Sequence, residues 1–314
     1  MRFEVHILGC GAALPLPGRN PTAQVVNVHE KQFLLDCGEG TQIALRKERI
    51  RMMRIDHICI SHLHGDHYLG LPGLVSTFNL LGRTRPLHIY GPNRLKEVLD
   101  LHQEVGEGRL DFPLHFHPTS SEEPQVLFED GSVQLESFPV KHRIPTTGFL
   151  LREKEREPGV KRDWVRRHDL VPSEILALKR KEDVVRGDGT RIAYAEACHP
   201  VPAARSYAFA ADTRYWEPLA EFIRGVDLLY HEATFDEAMK DRAEKTSHST
   251  ARQAARMAER AGVGRLVLGH VSARYDCFDT LLEEARSVFP ETVMAEDGMM
   301  LEIVSCAEIG ERGA

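Results

Sequence analysis

The sequence predicts an α/β fold of layered sandwich type, and three observations carry that prediction. Short apolar runs of strand length alternate with turns and helical stretches in two successive blocks, one reaching to about residue 150 and one starting near Ser206. Several of these runs end on a histidine or an aspartate. The stretch between the blocks, residues 152 to 205, differs in character, with charge clusters, several prolines and little periodicity. With 314 residues, of which 42% are hydrophobic and 28% charged, the chain can bury a self-sufficient core. It reads as one domain over residues 1–314, with 152–205 as an insertion.

The elements follow in order. Phe3 to Gly9 is a strand, and a loop rich in glycine and proline runs from Gly11 to Pro21. Val25 to Asp36 fits a hairpin broken near His29-Glu30-Lys31. Thr41 is placed to cap a helix running to about Arg54, with Ile43, Ile50 and Met53 on one face. Ile55 to Ser61 is a buried strand. Leu87 to Tyr90 is another, closed by Gly91-Pro92. Val126 to Phe128 and Val133 to Leu135 flank Asp130-Gly131 as a hairpin. In the second block, Ser206 to Ala211, Asp227 to His231 and Arg265 to Gly269 read as strands. Ala251, Ala254, Ala255, Ala258 and Ala261 recur at helical spacing until Gly262 stops the helix.

Composition narrows the classes. The chain enters its first strand at once, without an apolar leader, and no run approaches the length of a membrane span. A soluble, cytoplasmic protein is expected. Six cysteines (Cys10, Cys37, Cys59, Cys198, Cys277 and Cys306) are widely and irregularly spaced, with no C-x-x-C pair, as for reduced thiols in a cytosolic protein. The net charge of −7 argues against indiscriminate nucleic-acid binding. Any such site must be a local patch.

Ser61-His62-Leu63-His64-Gly65-Asp66-His67 carries the chemistry. Four metal-capable side chains lie within six positions, directly after a buried strand. On a tight loop, His62 and His64 can turn to one ion while Asp66 and His67 turn to its neighbour, and Gly65 lets the backbone bend between the pairs. Imidazole nitrogen with carboxylate oxygen suits zinc, with manganese or iron weaker options. A surface histidine cluster is the bland reading, and four ligand types closing one strand make it a poor one. His142, Asp212 and His270 each follow an apolar strand-like run. Singly each would read as a satisfied buried polar residue; together they extend the ligand set.

These residues resemble the ligand series of the metallo-β-lactamase-fold hydrolases, over nearly the whole chain. Ser61 to Gly73 (SHLHGDHYLGLPG), Ala211 to Arg214 (ADTR), His231 to Phe235 (HEATF), His248-Ser249-Thr250 and His270 to Tyr275 (HVSARY) sharpen the resemblance to the ribonuclease Z family, which trims the 3′ end of precursor tRNA. It implies a four-layer αββα sandwich and two Zn2+ per subunit. One zinc would be held by His62, His64 and His142, the other by Asp66, His67 and His270, with Asp212 bridging. Two cations side by side lower the pKa of a water and clamp an in-line phosphoryl displacement. Asp66 could take the proton from that water. His248 would protonate the leaving ribose oxygen, held in its tautomer by Glu232; the bland alternative for His248 is phosphate binding beside a helix N-terminus. Arg274, four residues after His270, would contact a substrate phosphate.

The resemblance also implies a homodimer, and an arm between the His142 and Asp212 segments that grips the tRNA. The insertion occupies that place. From Arg152 to Arg191 it carries twelve Lys/Arg against nine Asp/Glu, a net of about +3 in a chain of net −7. Lys161-Arg162, Arg166-Arg167 and Lys179-Arg180-Lys181 are the basic clusters, either a solvated face or phosphate contacts. The arm departs from the pattern of many members in lacking a Gly-Pro turn between Val171 and Val185. Two other readings remain: a different hydrolase on this scaffold, such as a small-ester phosphodiesterase or arylsulfatase-like enzyme, and a tRNA-binding protein with a dead site.

Overall fold

The computed structural model describes residues 2–106 and 109–305; Cys306 lies outside them. The first block holds β1 (Phe3–Gly9), β2 (Ala23–Val28), β3 (Lys31–Leu35), α1 (Thr41–Lys47), β4 (Ile55–Cys59), α2 (Gly65–Tyr68), α3 (Gly70–Leu80), β5 (Leu87–Gly91), α4 (Arg94–Val105), β6 (Leu114–Pro118), β7 (Gln125–Glu129), β8 (Val133–Pro139) and β9 (Thr147–Glu153). The insertion adds α5 (Arg162–Arg167), α6 (Pro172–Lys179), β10 (Val184–Val185), β11 (Arg191–Ile192) and α7 (Tyr194–Ala197). The second block holds β12 (Ser206–Ala210), α8 (Leu219–Phe222), β13 (Leu228–Glu232), α9 (Lys240–Thr246), α10 (Ala251–Ala261), β14 (Arg265–Gly269), α11 (Asp279–Arg286), β15 (Thr292–Met294) and β16 (Met300–Glu302).

Two seven-stranded sheets form the middle of the sandwich, ordered β16-β1-β2-β3-β4-β5-β6 and β15-β14-β13-β12-β9-β8-β7. Phe3, Phe33, Phe149, Tyr207, Phe209 and Tyr230 fill the core that the two sheets share. Leu45, Leu74, Phe78 and Leu95 bring α1, α3 and α4 onto the first sheet, and Leu219, Ala254, Ala258 and Leu281 bring α8, α10 and α11 onto the second. Each element buries one apolar face and none could do so alone, which yields the four layers αββα. Within each sheet four neighbouring strands are parallel, β3 to β6 and β12 to β15. Parallel strands align their C-terminal ends, and the site is built from the segments that leave those ends.

Local chemistry explains the boundaries. His29 and Glu30, both with positive φ (51° and 69°), make the two-residue turn of the β2–β3 hairpin without glycine. Thr250 and Gln253 form a reciprocal capping box at the start of α10, and Gly262 at φ 63° ends it. The helix expected from Thr41 to about Arg54 stops at Lys47. Arg49 takes φ 56° and a 3₁₀ turn follows at Met52–Arg54, so Ile43 is left exposed rather than on a continuous buried face. Thr41 is not the cap: Gly40 occupies that position, and the Thr41 hydroxyl donates to the Gly38 carbonyl.

Residues Lys154–Ala204 pack as a compact unit of their own, around Leu170, Leu178, Val184, Ile192, Ala197 and Cys198. The little periodicity read there reflects helices of six and eight residues, too short to repeat an apolar face. Cys10, Cys37, Cys59, Cys198 and Cys277 are free thiols, and no helix among the described residues is long and apolar enough to cross a membrane.

Candidate metal centre

Every predicted ligand lies just past a strand end. His62 and His64 follow β4, with Asp66 and His67 on the short helix α2; His142 follows β8, Asp212 follows β12 and His270 follows β14. They converge as two clusters. His64 Nδ1 lies 2.9 Å from His62 Nε2 and 3.2 Å from His142 Nε2, and Asp212 Oδ2 stands 3.5 and 3.7 Å from the His62 and His142 nitrogens. In the second cluster, His270 Nε2 lies 3.3 Å from both His67 Nε2 and Asp66 Oδ2. Asp212 Oδ1 completes it, 3.4 Å from His67 and 3.2 Å from His270. One carboxylate thus turns an oxygen to each group.

The donor chemistry fits a pair of divalent cations. Nitrogen lone pairs that close to one another repel unless a cation or proton lies between them. The opposite ring nitrogens are already engaged: His142 Nδ1 donates to the Ser247 carbonyl (2.8 Å), His67 Nδ1 faces Asp36 Oδ2 (2.7 Å), and His270 Nδ1 pairs with Thr234 Oγ1 (3.1 Å). Such outer partners fix the tautomer and leave Nε2 free to ligate. Asp212 Oδ1 is buried with no hydrogen-bond partner, a cost that a bound cation removes. Burial pushes His62, His64 and His142 toward the neutral form that binds metal. It works against charge at Asp212 too, yet His270, His67 and His62 hold that carboxyl well below the usual range.

Glu232, the last residue of β13, is fully buried. It accepts from the backbone N–H groups of Thr213, Thr234 and Ser249 and from the Thr234 hydroxyl. Its Oε1 lies 2.8 Å from His248 Nδ1. Burial disfavours an imidazolium here, but the Glu232 and Asp212 carboxylates outweigh it and raise His248 to about 9. Asp66 Oδ2 accepts from the Ala13 N–H at 2.7 Å.

His64, Asp66, Asp212, His248 and His270 floor an open cleft of about 690 Å3, which Arg274 also lines. Three participants carried no mark in the sequence reading. Asp36 accepts from the Ser61 N–H and hydroxyl and holds His67; it ends the apolar run Phe33-Leu34-Leu35, the same signal that marked Asp212. Arg143 and Arg242 line the cleft as exposed guanidinium groups with no ion pair among the described residues. Arg143 directly follows His142, and that adjacency is its one mark in the sequence. In the inserted unit, Lys179 and Lys181 pair with Glu157 and Glu155, and Lys161 donates to the Glu196 carbonyl. Arg162, Arg166, Arg167 and Arg180 carry no side-chain ion pair there. Arg162 and Arg166 stand one turn apart on α5.

Comparison with known proteins bears on this geometry. A family model described as the anti-Pycsar protein Apyc1 matches residues 3–161, and one described as a β-lactamase superfamily domain matches residues 184–271. Ribonuclease Z of Bacteroides thetaiotaomicron is 45% identical over 302 residues, covering 96% of each chain. Ribonuclease Z of Porphyromonas gingivalis is 40% identical over 301 residues, 96% of this chain and 99% of its own. Among solved structures, the short form of human tRNase Z superposes with a TM-score of 0.69 at 29% identity, over 96% of this chain and 99% of that one. The Bacillus subtilis metallo-β-lactamase-fold protein YhfI (TM-score 0.68, 19% identity) shares the fold.

Proposed function

The chain belongs to the ribonuclease Z family, and from that premise we propose that its cleft holds two zinc ions and cuts precursor tRNA after the discriminator nucleotide. Family membership makes the protein a hydrolytic endoribonuclease of tRNA 3′ processing. The observation that carries the metal reading is Asp212, whose two oxygens face separate histidine clusters while Oδ1 lacks any hydrogen bond.

His62, His64 and His142 would hold one ion and Asp66, His67 and His270 the other, with Asp212 between them. Two zinc ions there would supply an acidic water and a clamp on both sides of an in-line displacement at phosphorus. Asp66 keeps Oδ1 clear of hydrogen bonds among the described residues, and that oxygen is the acceptor for the water's proton. His248, charged and oriented by Glu232, gives its proton to the departing 3′ oxygen. The tRNA then keeps a 3′-hydroxyl and the trailer a 5′-phosphate. Arg274 neutralises a neighbouring phosphate. Arg162, Arg166 and Arg167 of α5, with Lys161 and the Lys179-Arg180-Lys181 cluster, are the arm's backbone contacts to tRNA.

The same reading makes the protein a cytoplasmic homodimer. In its support, Leu80 at the end of α3, Leu81 after it, and Leu101 and Val105 of α4 are exposed apolar side chains, Leu80 at 87%, which an interface would cover. Light scattering that gives a single-chain mass at micromolar concentration would remove the dimer.

The deciding experiment incubates the zinc-loaded protein with a precursor tRNA bearing a 3′ trailer and maps both product ends. A second protein, with Lys154–Ala204 replaced by a short glycine linker, is tested on that RNA and on a small chromogenic phosphodiester. Glu153 and Arg205 make the deletion practicable, because the Glu153 N–H already donates to the Arg205 carbonyl at 2.8 Å. One cut at the discriminator, lost with the insertion while the small ester is still hydrolysed, is the expected result. Hydrolysis of the small ester alone by both proteins would sink the tRNA assignment in favour of a small-ester phosphodiesterase.

A further inference from the structure

A second histidine cluster lies apart from the cleft residues, on the β4–β5–β6 side of the first sheet. The strand register places His57, His88 and His115 in one row, with Tyr90 opposite His117 in the next. Because side chains alternate along a strand, all of these project from the same face. His57 is buried and stacks on Phe33. His88 stacks on His57, His115 and His117 at centroid distances of 5.3, 5.0 and 5.3 Å, and His117 also stacks on Tyr90. His88 Nδ1 and His117 Nε2 are 3.0 Å apart. His115 is exposed on β6, the last strand of the sheet, and its imidazole makes no hydrogen bond among the described residues.

We propose that His88, His117 and His115 form an accessory site for a borderline divalent transition ion, zinc or its neighbours copper and nickel, joining β5 to the edge strand β6. Two imidazole nitrogens bound to one tetrahedral zinc at about 2.0–2.1 Å lie roughly 3.3 Å apart. The His88–His117 pair is already close to that spacing. His115 is the third ligand of the proposal: it sits directly across from His88 and two residues from His117, with its ring stacked on His88, and it would have to turn on its side-chain torsions to bring a nitrogen to the pair. An all-imidazole donor set favours these ions over magnesium or calcium, which require oxygen. Burial, together with the neighbouring histidines, lowers His88 and His117 toward the neutral, ligating form. A cross-link here also secures an edge strand, the part of a sheet most open to fraying and unwanted pairing.

The test counts zinc by equilibrium dialysis at controlled micromolar free zinc, comparing the full-length protein with the His88→Gln/His117→Gln variant. Whatever the cleft binds is common to both and cancels in the difference. One additional zinc per chain in the unaltered protein is expected; equal counts overturn the site. Turnover of a small phosphodiester reports that the double variant is folded, since none of these residues belongs to the cleft. His115→Ala, on an exposed edge position, gives a second reading that does not depend on refilling the sheet. It should weaken the extra zinc at least tenfold, and an unchanged affinity overturns the three-histidine assignment. A hydrogen-bonded pair of neutral imidazoles with no metal affinity is what equal counts in all three proteins would mean.

Discussion

His248 and Asp36 each take part in a carboxylate–imidazole contact, which in the proposed mechanism stands beside the reacting bond for His248 and behind a metal ligand for Asp36. Glu232 is fixed by three backbone N–H groups, so His248 Nδ1 is directed to it and Nε2 is left for the substrate. Replacing His248 with alanine should lower turnover of precursor tRNA by about 10²- to 10⁴-fold, the range of a lost general acid, with zinc content unchanged. A nitrophenyl phosphodiester, whose leaving group needs no proton, should lose much less. Loss of zinc in that variant would make His248 a ligand and cancel its assignment as the acid. Asp36 differs, since among the described residues its carboxylate hydrogen-bonds only with His67 and the Ser61 N–H and hydroxyl. Asp36→Asn keeps the shape but weakens the hold on the His67 N–H. Zinc affinity in competition with a chelator should fall about 10- to 100-fold, as for other outer partners of ligating histidines. An affinity equal to that of the unaltered protein would show His67 to be oriented by packing alone.

At the scale of single elements, Gly269 closes β14 immediately before the ligand His270. A Cβ there would sit 2.0 Å from the Tyr230 hydroxyl, on a ring that is fully buried between the sheets. Gly269→Ala should therefore cost about 1–3 kcal/mol of stability and, by shifting His270, release metal from the second cluster. Gly262→Ala is the contrast: it faces open space at φ 63°, so denaturant titration should show a strain cost of about 1–2 kcal/mol with metal retained. Equal metal loss in both would mean that general destabilisation, not the displaced ligand, is responsible. The same local physics decides what the sequence discloses. β4, β14 and α10 are legible because an apolar run or alanine period leads to a residue with a clear meaning, His62, His270 or Gly262. β9 is hidden because Gly148 interrupts it, and the reason is tertiary: a Cβ at Gly148 would meet the Phe138 ring at 2.2 Å. β16 has no local signal, being three residues defined by pairing with β1 from the other end of the chain. The overlong first helix has the same origin, for nothing near Arg49 announces its positive φ. The ligand set was legible because each ligand type closes a strand. Arg143 and Arg242 were not, because an exposed arginine becomes meaningful only once the cleft it lines exists.

Across the whole molecule, each metal cluster draws on both sheets. His62, His64, Asp66 and His67 leave the first sheet at β4, whereas His142, Asp212 and His270 leave the second at β8, β12 and β14. Ions bound there would tie the strand ends of the two sheets together, and they would bind a constellation that the unfolded chain does not possess. Without them, the same strand ends must hold the Asp212 carboxylate with one oxygen buried and unsatisfied, among imidazoles whose lone pairs converge. Ligand linkage sets the size of the effect: an ion at 100 to 1,000 times its dissociation constant stabilises the folded chain by about 2.7–4.1 kcal/mol. For a chain of this length that corresponds to a melting temperature lower by roughly 4–6 °C for each ion removed by chelation. Calorimetry before and after a chelator, with zinc restored in a third scan, measures it. Asp212→Ala removes the shared ligand, so in the His88→Gln/His117→Gln background, which lacks the accessory histidines, its melting temperature should scarcely respond to the chelator. A large response that persists in Asp212→Ala would locate the stabilising metal elsewhere in the fold, and the two sheets would then owe nothing to the cleft.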